Sequence, residues 1–328
     1  MIPTLIGITM VCFVIINMAP GSPIDEKLRA MRFAATGGSD SSGGSDQAAN
    51  PEIIKMMKEY YGFDKPLMTR YFIWLKNIAT LDFGNSYTYE EPVSNLIISR
   101  VPISLQFGLT SLVLTYIISV LLGLYKAIRN GSNFDLITSS VLFVLYSIPP
   151  LILGIFLIVY VAGSEGSWFP LQGFVSDDYE SFAFWEKVED RIRHLILPLL
   201  CYMVGSFTFL TMLMKNSMLE IIKQDYIRTA RAKGLDEKAT YFKHAFRNAL
   251  IPIVTSMTGI LTVFFAGSII IEEIFQIDGM GLLSYEALIS RDYPVIMAMI
   301  FIQSLLYLLG RLIVDMLYVW VDPRITFS

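Results

Sequence analysis

The chain has 328 residues, 54% of them hydrophobic and only 16% charged, with a formal net charge of −4. A soluble domain carries about a quarter charged residues, so this composition argues against an ordinary globule, and no basic, aromatic-studded stripe points to nucleic acid. Cys12 and Cys201 sit inside apolar blocks and His194 and His244 lie far apart, which reads as free packed thiols and no zinc site.

A segment needs about 17 to 25 mostly apolar residues to cross a bilayer. The first such block is Pro3–Ala19. No basic residue precedes it and no small-x-small cleavage site follows, so it reads as an uncleaved helix, and a basic leader is expected upstream. Residues 21–100 are more polar. Their middle, ATGGSDSSGGSDQAANP, reads as a disordered surface loop. IIKMMKEYYGF, whose helical spacing ends at Gly62, and FIWLKNIA read as short amphipathic helices packed on the domain's own surface in preference to the membrane.

Five further blocks follow: Ile103–Tyr125, Leu136–Ala162, His194–Met214, Ile251–Ile271 and Pro294–Val319. Pro149 and Pro150 must kink or break the third block. The expected fold is an all-α polytopic membrane protein. It has a first helix (1–20), an outer segment (21–100), a five-helix core (101–319) containing a charged loop at 216–250, and a short tail (320–328).

Charge orients it. Lys126 and Arg129 follow block two, and eight Lys and Arg residues from Lys215 to Arg247 follow block four. The loops after blocks three and five are acidic. The positive-inside rule puts the basic loops, and with six crossings both termini, in the cytoplasm. The Gly/Ser-rich insert and the acidic loops then face outward.

The span Ser217 to Leu250 is too long for a turn. It reads as two short helices around a break at Gly234, with Ala230 and Ala232 suited to close packing and Leu235, Ala239, Phe242 and Phe246 as spaced apolar positions. Two readings are open: a docking element for a partner, or a basic loop held at lipid headgroups.

The stretch DYIRTARAKGLDEKATYFKHAFRNALIP resembles the coupling loop of ABC-importer permeases, oligopeptide and dipeptide branch. Where the wider family has an acidic residue and two alanines ahead of a glycine, this chain has Arg228, Thr229, Ala230 and then Gly234. The acidic residue is absent, as in the peptide branch, and Arg247 stands near the place of the family's later proline. NMAPGSP (17–23), YGFDKP (61–66), DFGNS (82–86), SRVPISLQFGL (99–109), RDYPV (291–295) and VDPRI (321–325) resemble the same branch in order and spacing. The Gly/Ser insert, KAIRNGSNFD (126–135) and FPLQGFVS (169–176) are similar to its subgroup linked to peptide and microcin C uptake.

The resemblance implies a type I importer transmembrane domain in a bacterial inner membrane, a non-catalytic subunit that binds no cofactor. It implies a second similar permease, two cytoplasmic ATPase subunits or a fused ATPase using ATP-Mg, an external peptide-binding protein and a peptide substrate moved by alternating access. The coupling helix would run from about Tyr226 to Glu237. Asp225, Arg228, Thr229, Ala230, Arg231, Ala232, Gly234 and Leu235 are the implied ATPase-coupling residues. Glu272, Glu273, Gly279 and Gly281 are candidates for an external gate or substrate path. The glutamates are read either as meeting a peptide amine or basic patch, or as solvated flank residues.

The chain has no GxxxxGK[ST] segment, so ATP phosphates would be held by another subunit. An ion-coupled secondary transporter would want carboxylates at the midplane and an inverted repeat, and neither is visible. An intramembrane enzyme would want HExxH, or a serine paired with His or Lys at depth, and these are absent too.

Overall fold

The computed structural model describes residues 2–18, 55–56, 59, 62–164, 166–236, 240–256 and 268–321. The Gly/Ser-rich insert, most of the IIKMMKEYYGF segment, the middle of the fifth apolar block and the tail after 321 lie outside the described residues. The described residues are helical almost throughout. They fall into two compact units, residues 1–99 with 283–305, and residues 100–282 with 306–328.

In the first unit, α1 (Ile2–Met18) is a 17-residue apolar rod. At 1.5 Å per residue it is about 26 Å long, close to the hydrocarbon thickness of a bilayer. Exposed Val11, Ile15 and Met18 occupy its open side, while Phe13 packs with Tyr71 and Met297. Tyr71 belongs to α2 (Leu67–Ala79), the amphipathic helix expected around FIWLKNIA. Its hydroxyl donates to the Ile6 carbonyl at 3.0 Å and lies 3.1 Å from Thr9 Oγ1, which ties α2 to α1. The DFGNS stretch is strapped down by a buried carboxylate. Asp292 accepts from Ser86 Oγ at 2.5 Å and from the Thr88 amide at 2.9 Å, and Tyr89 donates to Glu286. These two acids, counted in the sequence as loop charges, are structural ties.

Among the described residues, three helices are long and apolar enough to cross a membrane: α3 (Val93–Ile128), α6 (Phe184–Ile222) and the stretch Tyr293–Ile313 of α10 (Tyr293–Val321). The third block breaks as its prolines require. α4 (Asn133–Ser147) and the helix beginning at α5 (Pro150–Phe156), which continues as a π-helix over Leu157–Ala162, meet at 94°. Pro149 has no N–H to give and pushes Ile148 into extended geometry, φ −86° and ψ 117°, so the helix must stop there.

The second unit reverses the polarity of a soluble protein. Ile117, Leu121, Ile137, Val141 and Val144 are exposed, whereas Ser104, Ser111, Thr115 and Ser119 of α3 are buried at roughly helical spacing. Ser119 Oγ donates to the Phe207 carbonyl and Thr208 Oγ1 to that of Leu142. Small polar residues let neighbouring helices approach, and lipid is the solvent for the apolar face. At Gly123 an added Cβ would lie 2.6 Å from the Thr211 carbonyl oxygen, so α3 and α6 touch backbone to backbone there.

Candidate functional site

The basic segment begins where α6 ends. The Lys223 and Gln224 amides bond to the carbonyls of Glu220 and Ile221, and the chain turns into α7 (Asp225–Ala232). Asp225 stands in the first turn, where a negative charge suits the helix dipole. Ile227 and Ala230, three apart, face inward at 0% and 8% exposure. Ile227 joins a cluster with Met214 and Met218 of α6, Leu124 and Ala127 of α3, and Ala245, Ala249 and Ile253. Ser217 Oγ donates to the Ala249 carbonyl at 3.0 Å, and Asn248 Nδ2 to the Tyr226 hydroxyl at 2.9 Å. The short helix is therefore seated on two membrane-spanning helices.

Gly234 ends α7. Its φ of +83° is left-handed, the Lys233 amide bonds to the Thr229 carbonyl, and the Leu235 amide reaches back to the Ala230 carbonyl at 3.3 Å. This is a Schellman closure, which glycine permits without a Cβ penalty. It stops the helix at Ala232, five residues short of the expected Glu237. A second helical piece follows as expected, a π-helix over Thr240–Ala245 and one α turn over Phe246–Ala249.

Of the implied coupling residues, Asp225, Arg228, Thr229, Ala232, Gly234 and Leu235 are all exposed, the first four at helical spacing on α7. Ala230 belongs to the seat beneath it, and the Arg231 side chain lies outside the described set. Arg228 and Asp225 pair loosely at 3.6 Å with both side chains mostly in solvent, a contact worth little to stability. Their charges remain open to a partner.

Sequence reasoning missed a buried ionic cluster beside this seat. Lys126 is fully buried near the end of α3, with Nζ donating to Thr138 Oγ1 (2.7 Å), Ser139 Oγ (2.8 Å) and the Asp135 carbonyl (3.1 Å). Asp135 Oδ1 lies 3.3 Å from that ammonium, and Lys215 Nζ of α6 donates to Asp135 Oδ2 at 2.7 Å. The Gly131 amide completes the carboxylate's partners. One carboxylate thus joins α3, α4 and α6. Its one local signal was an acid in an otherwise basic loop. The Asp135→Asn variant should lose about 3 kcal/mol of stability, since two ammonium groups then face an amide. Replacing Lys126 by Met together with Asp135→Leu should cost less than Asp135→Asn alone. Thermal unfolding in lipid checks both, and an unshifted midpoint for Asp135→Asn would refute this account.

The turn after α8 (Ile269–Phe275) is built on another buried acid. Glu272 has no exposed surface. Its Oε1 accepts from Ser104 Oγ (3.0 Å), the Tyr202 hydroxyl (3.1 Å) and the Ser268 amide (3.2 Å). Its Oε2 accepts from the amides of Gly281 (2.7 Å) and Leu282 (3.1 Å). Those amides open α9 (Met280–Ser290), whose Met280 amide also bonds to Ser104 Oγ. Gln276, at φ +50°, closes α8, and Arg100 Nε pairs with Asp278 at 2.7 Å. A Cβ at Gly279 would strike Ser104 Oγ at 2.5 Å, and one at Gly281 would lie 2.6 Å from the Ser268 carbonyl carbon. Both glycines are therefore required by contact. Neither sequence reading of Glu272, as an amine partner or as a solvated flank residue, describes these surroundings. Every acceptor position it offers is filled from within the chain. Glu273 beside it is half-buried.

Helical almost throughout its described residues, with several apolar spans and an anchored basic helix pair, the protein has the architecture of a polytopic membrane protein. Residues 119–327 match the family of binding-protein-dependent transport system inner membrane components, and the chain belongs to that family. It is 39% identical to the peptidoglycan transport system permease protein YejB of Agrobacterium fabrum, over 100% of this chain and 96% of that protein. It is also 39% identical to the inner membrane ABC transporter permease protein YejB of Escherichia coli O157:H7, with the same coverage. The oligopeptide transport system permease protein AppB of Bacillus subtilis is 38% identical over 99% of this chain and 96% of its own length. The chain is thus a non-catalytic, multi-pass permease subunit of the inner membrane.

Proposed function

We propose that this subunit forms half of the path through which an ATP-driven importer moves peptides, and that α7 is its lever. The observation that carries the proposal is the seating of α7. An exposed face with unspent charges is held through Ile227 and Ala230 against the ends of two apolar spans. A force applied to that face is delivered to α3 and α6. In this reading the basic segment lies in the cytoplasm with both termini. Two ATPase subunits or a fused ATPase grip α7 and hydrolyse ATP-Mg, a second similar permease completes the pathway, and an external binding protein delivers the cargo. Peptide cargo is supported by relatives whose names specify peptidoglycan and oligopeptide transport. Closure of the ATPases would swing the spans between inward-facing and outward-facing arrangements. The Glu272-braced turn, with Glu273, Gly279 and Gly281, is a rigid element of the opposite gate.

The test is purification of the chain from its native membrane in mild detergent, with every partner identified by mass spectrometry. A second permease and ATPase subunits should co-purify, and the complex in lipid should hydrolyse ATP and import short peptides. A chain that purifies alone and moves solute on an ion gradient without ATP would overturn the reading.

A further inference from the structure

The chain that follows α7 has a joint in it. The one-turn helix Phe246–Ala249 runs into the fifth apolar block, with the Leu250 amide bonded to the Phe246 carbonyl and the Val254 amide to the Leu250 carbonyl. Between those two bonds stands Pro252. Proline has no N–H to return to the carbonyl four residues back, here that of Asn248. The helical ladder is therefore interrupted at this point, and a helix bends most readily there.

Side chains hold the interruption. Asn248 Nδ2 donates to the Tyr226 hydroxyl of α7 at 2.9 Å, and the Ala249 carbonyl accepts from Ser217 Oγ of α6 at 3.0 Å. One turn further on, Ile253 is buried in the seat, and Ser256 Oγ lies 3.1 Å from the Tyr116 hydroxyl of α3. The start of the fifth block is thus tied in turn to α7, α6 and α3. The tie to α7 differs from the tie to α6 in its surroundings. Ser217 is buried, whereas Tyr226 is 45% exposed. A hydrogen bond open to water adds little to stability, because water serves both partners when it breaks. The apolar seat holds the fold, and what this bond fixes is the position of α7 relative to the fifth block.

We infer that Tyr226 and Asn248 are positioning residues of the coupling element, and that their hydrogen bond makes α7 and the first turn of the fifth span move as one body. The inference rests on the proposed reading of α7 as the lever and extends its reach. Without the bond, a displaced α7 carries α3 and α6 while the fifth block lags at Pro252. With it, the displacement also enters the fifth block, which ends in α8 and the Glu272-braced turn. A partner seated over the exposed side of Tyr226 excludes water from the bond and strengthens it in the lower dielectric. The connection is firmest when the ATPase is engaged.

The test uses the assembled transporter in lipid vesicles, with ATP hydrolysis and import of a short peptide measured together. Tyr226→Phe keeps the ring and removes the hydroxyl. It should lower the number of peptides imported per ATP hydrolysed about threefold to tenfold. Asn248→Leu should do the same, and the double variant should lose no more than either single one, since all three remove one bond. A merely structural bond would lower the thermal midpoint in lipid and leave the ratio of import to hydrolysis as it was. That outcome would overturn the inference, as would an unchanged ratio at an unchanged midpoint, or losses that add in the double variant. Loss of coupling in Gly234→Val with none in Tyr226→Phe would overturn this inference alone and leave α7 as the lever. Unchanged coupling in both variants would remove the lever as well.

Discussion

With Gly234 replaced by valine, the assembled transporter should continue to hydrolyse ATP while peptide import falls about 5- to 30-fold, the ratio that 1–2 kcal/mol sets. The size follows from geometry. Gly234 sits at φ +83° with nothing within 4 Å of where its Cβ would be, so a side chain meets no neighbour and the cost is conformational. A left-handed L-residue costs about 1–2 kcal/mol, more when β-branched. The strain is relieved by giving up the bond from the Leu235 amide to the Ala230 carbonyl, and with it the last turn of α7. Ile227, the fully buried residue of the seat, is two turns away and stays in place even though Ala230 lies in the loosened turn, so the subunit should still fold and bind its ATPases. On the proposed reading, what changes is the stiffness of the face that the ATPases grip. Two comparisons separate this from general damage. Gly234→Asn, which tolerates left-handed geometry, should recover most of the import. Gly166→Ala, strained at φ +74° with equally open surroundings, should leave the ratio of ATP hydrolysed to peptide imported unchanged. Import by Gly234→Val at the unaltered rate would remove α7 as the coupling element.

What the sequence made legible was whatever is local. Apolar runs, the proline pair and a glycine between helical stretches each act on their own neighbours. The break at Pro149–Pro150 and the turn at Gly234 were accordingly found where they were expected. The fate of single charges was not legible. Lys126 and Lys215 counted as two positive charges of basic loops, and Glu272 and Asp292 as acidic ones, yet all four are partly or wholly buried with partners. The Lys215 partner is 80 positions away, Ser104 is 168 from Glu272, and Ser86 is 206 from Asp292. No helical period reports contacts at such separations, because they depend on how the spans pack after they form. The length of α7 was missed for a related reason. Charged residues 236–238 are compatible with a continuing helix, and the decision to stop is made by one backbone bond at Leu235.

These buried charges share a pattern with mechanical meaning. Each stands at the end of a spanning helix and joins segments that composition alone would leave as loose loops. Asp135 ties the start of α4 to α3 and α6, while Glu272 ties the ends of α8 and α9 to α3 and α6 by way of Ser104 and Tyr202. Between these ties the helices meet through small residues and backbone contacts, as at Gly123 against Thr211.

The second large effect is expected at Glu272. Glu272→Ala leaves the Gly281 and Leu282 amides, the Ser104 and Tyr202 hydroxyls and the Ser268 amide facing an empty space. Each buried donor without an acceptor costs about 1–3 kcal/mol. Ser104 still serves Met280, and relaxation will recover part of the rest, so a net loss of about 3–5 kcal/mol is expected, the range found on breaking other buried charged groups. The variant should accumulate poorly in membranes and unfold at a lower temperature. Glu272→Gln is the informative companion. It keeps the volume and one acceptor oxygen but turns an NH2 toward donors on one side, so it should fold with about 1–3 kcal/mol less stability. If Glu272 acts as a brace, peptide import by this variant should fall with the stability of the turn and for all peptides alike. If the carboxylate instead meets the peptide amine, the variant should keep its thermal midpoint and lose affinity only for peptides with a free amino terminus. Thermal unfolding in lipid, read beside import of one peptide with and without an acetylated amino terminus, separates the two. An unchanged midpoint with amine-selective loss would mean that the turn opens to expose Glu272 during transport and that its buried state is one half of a cycle.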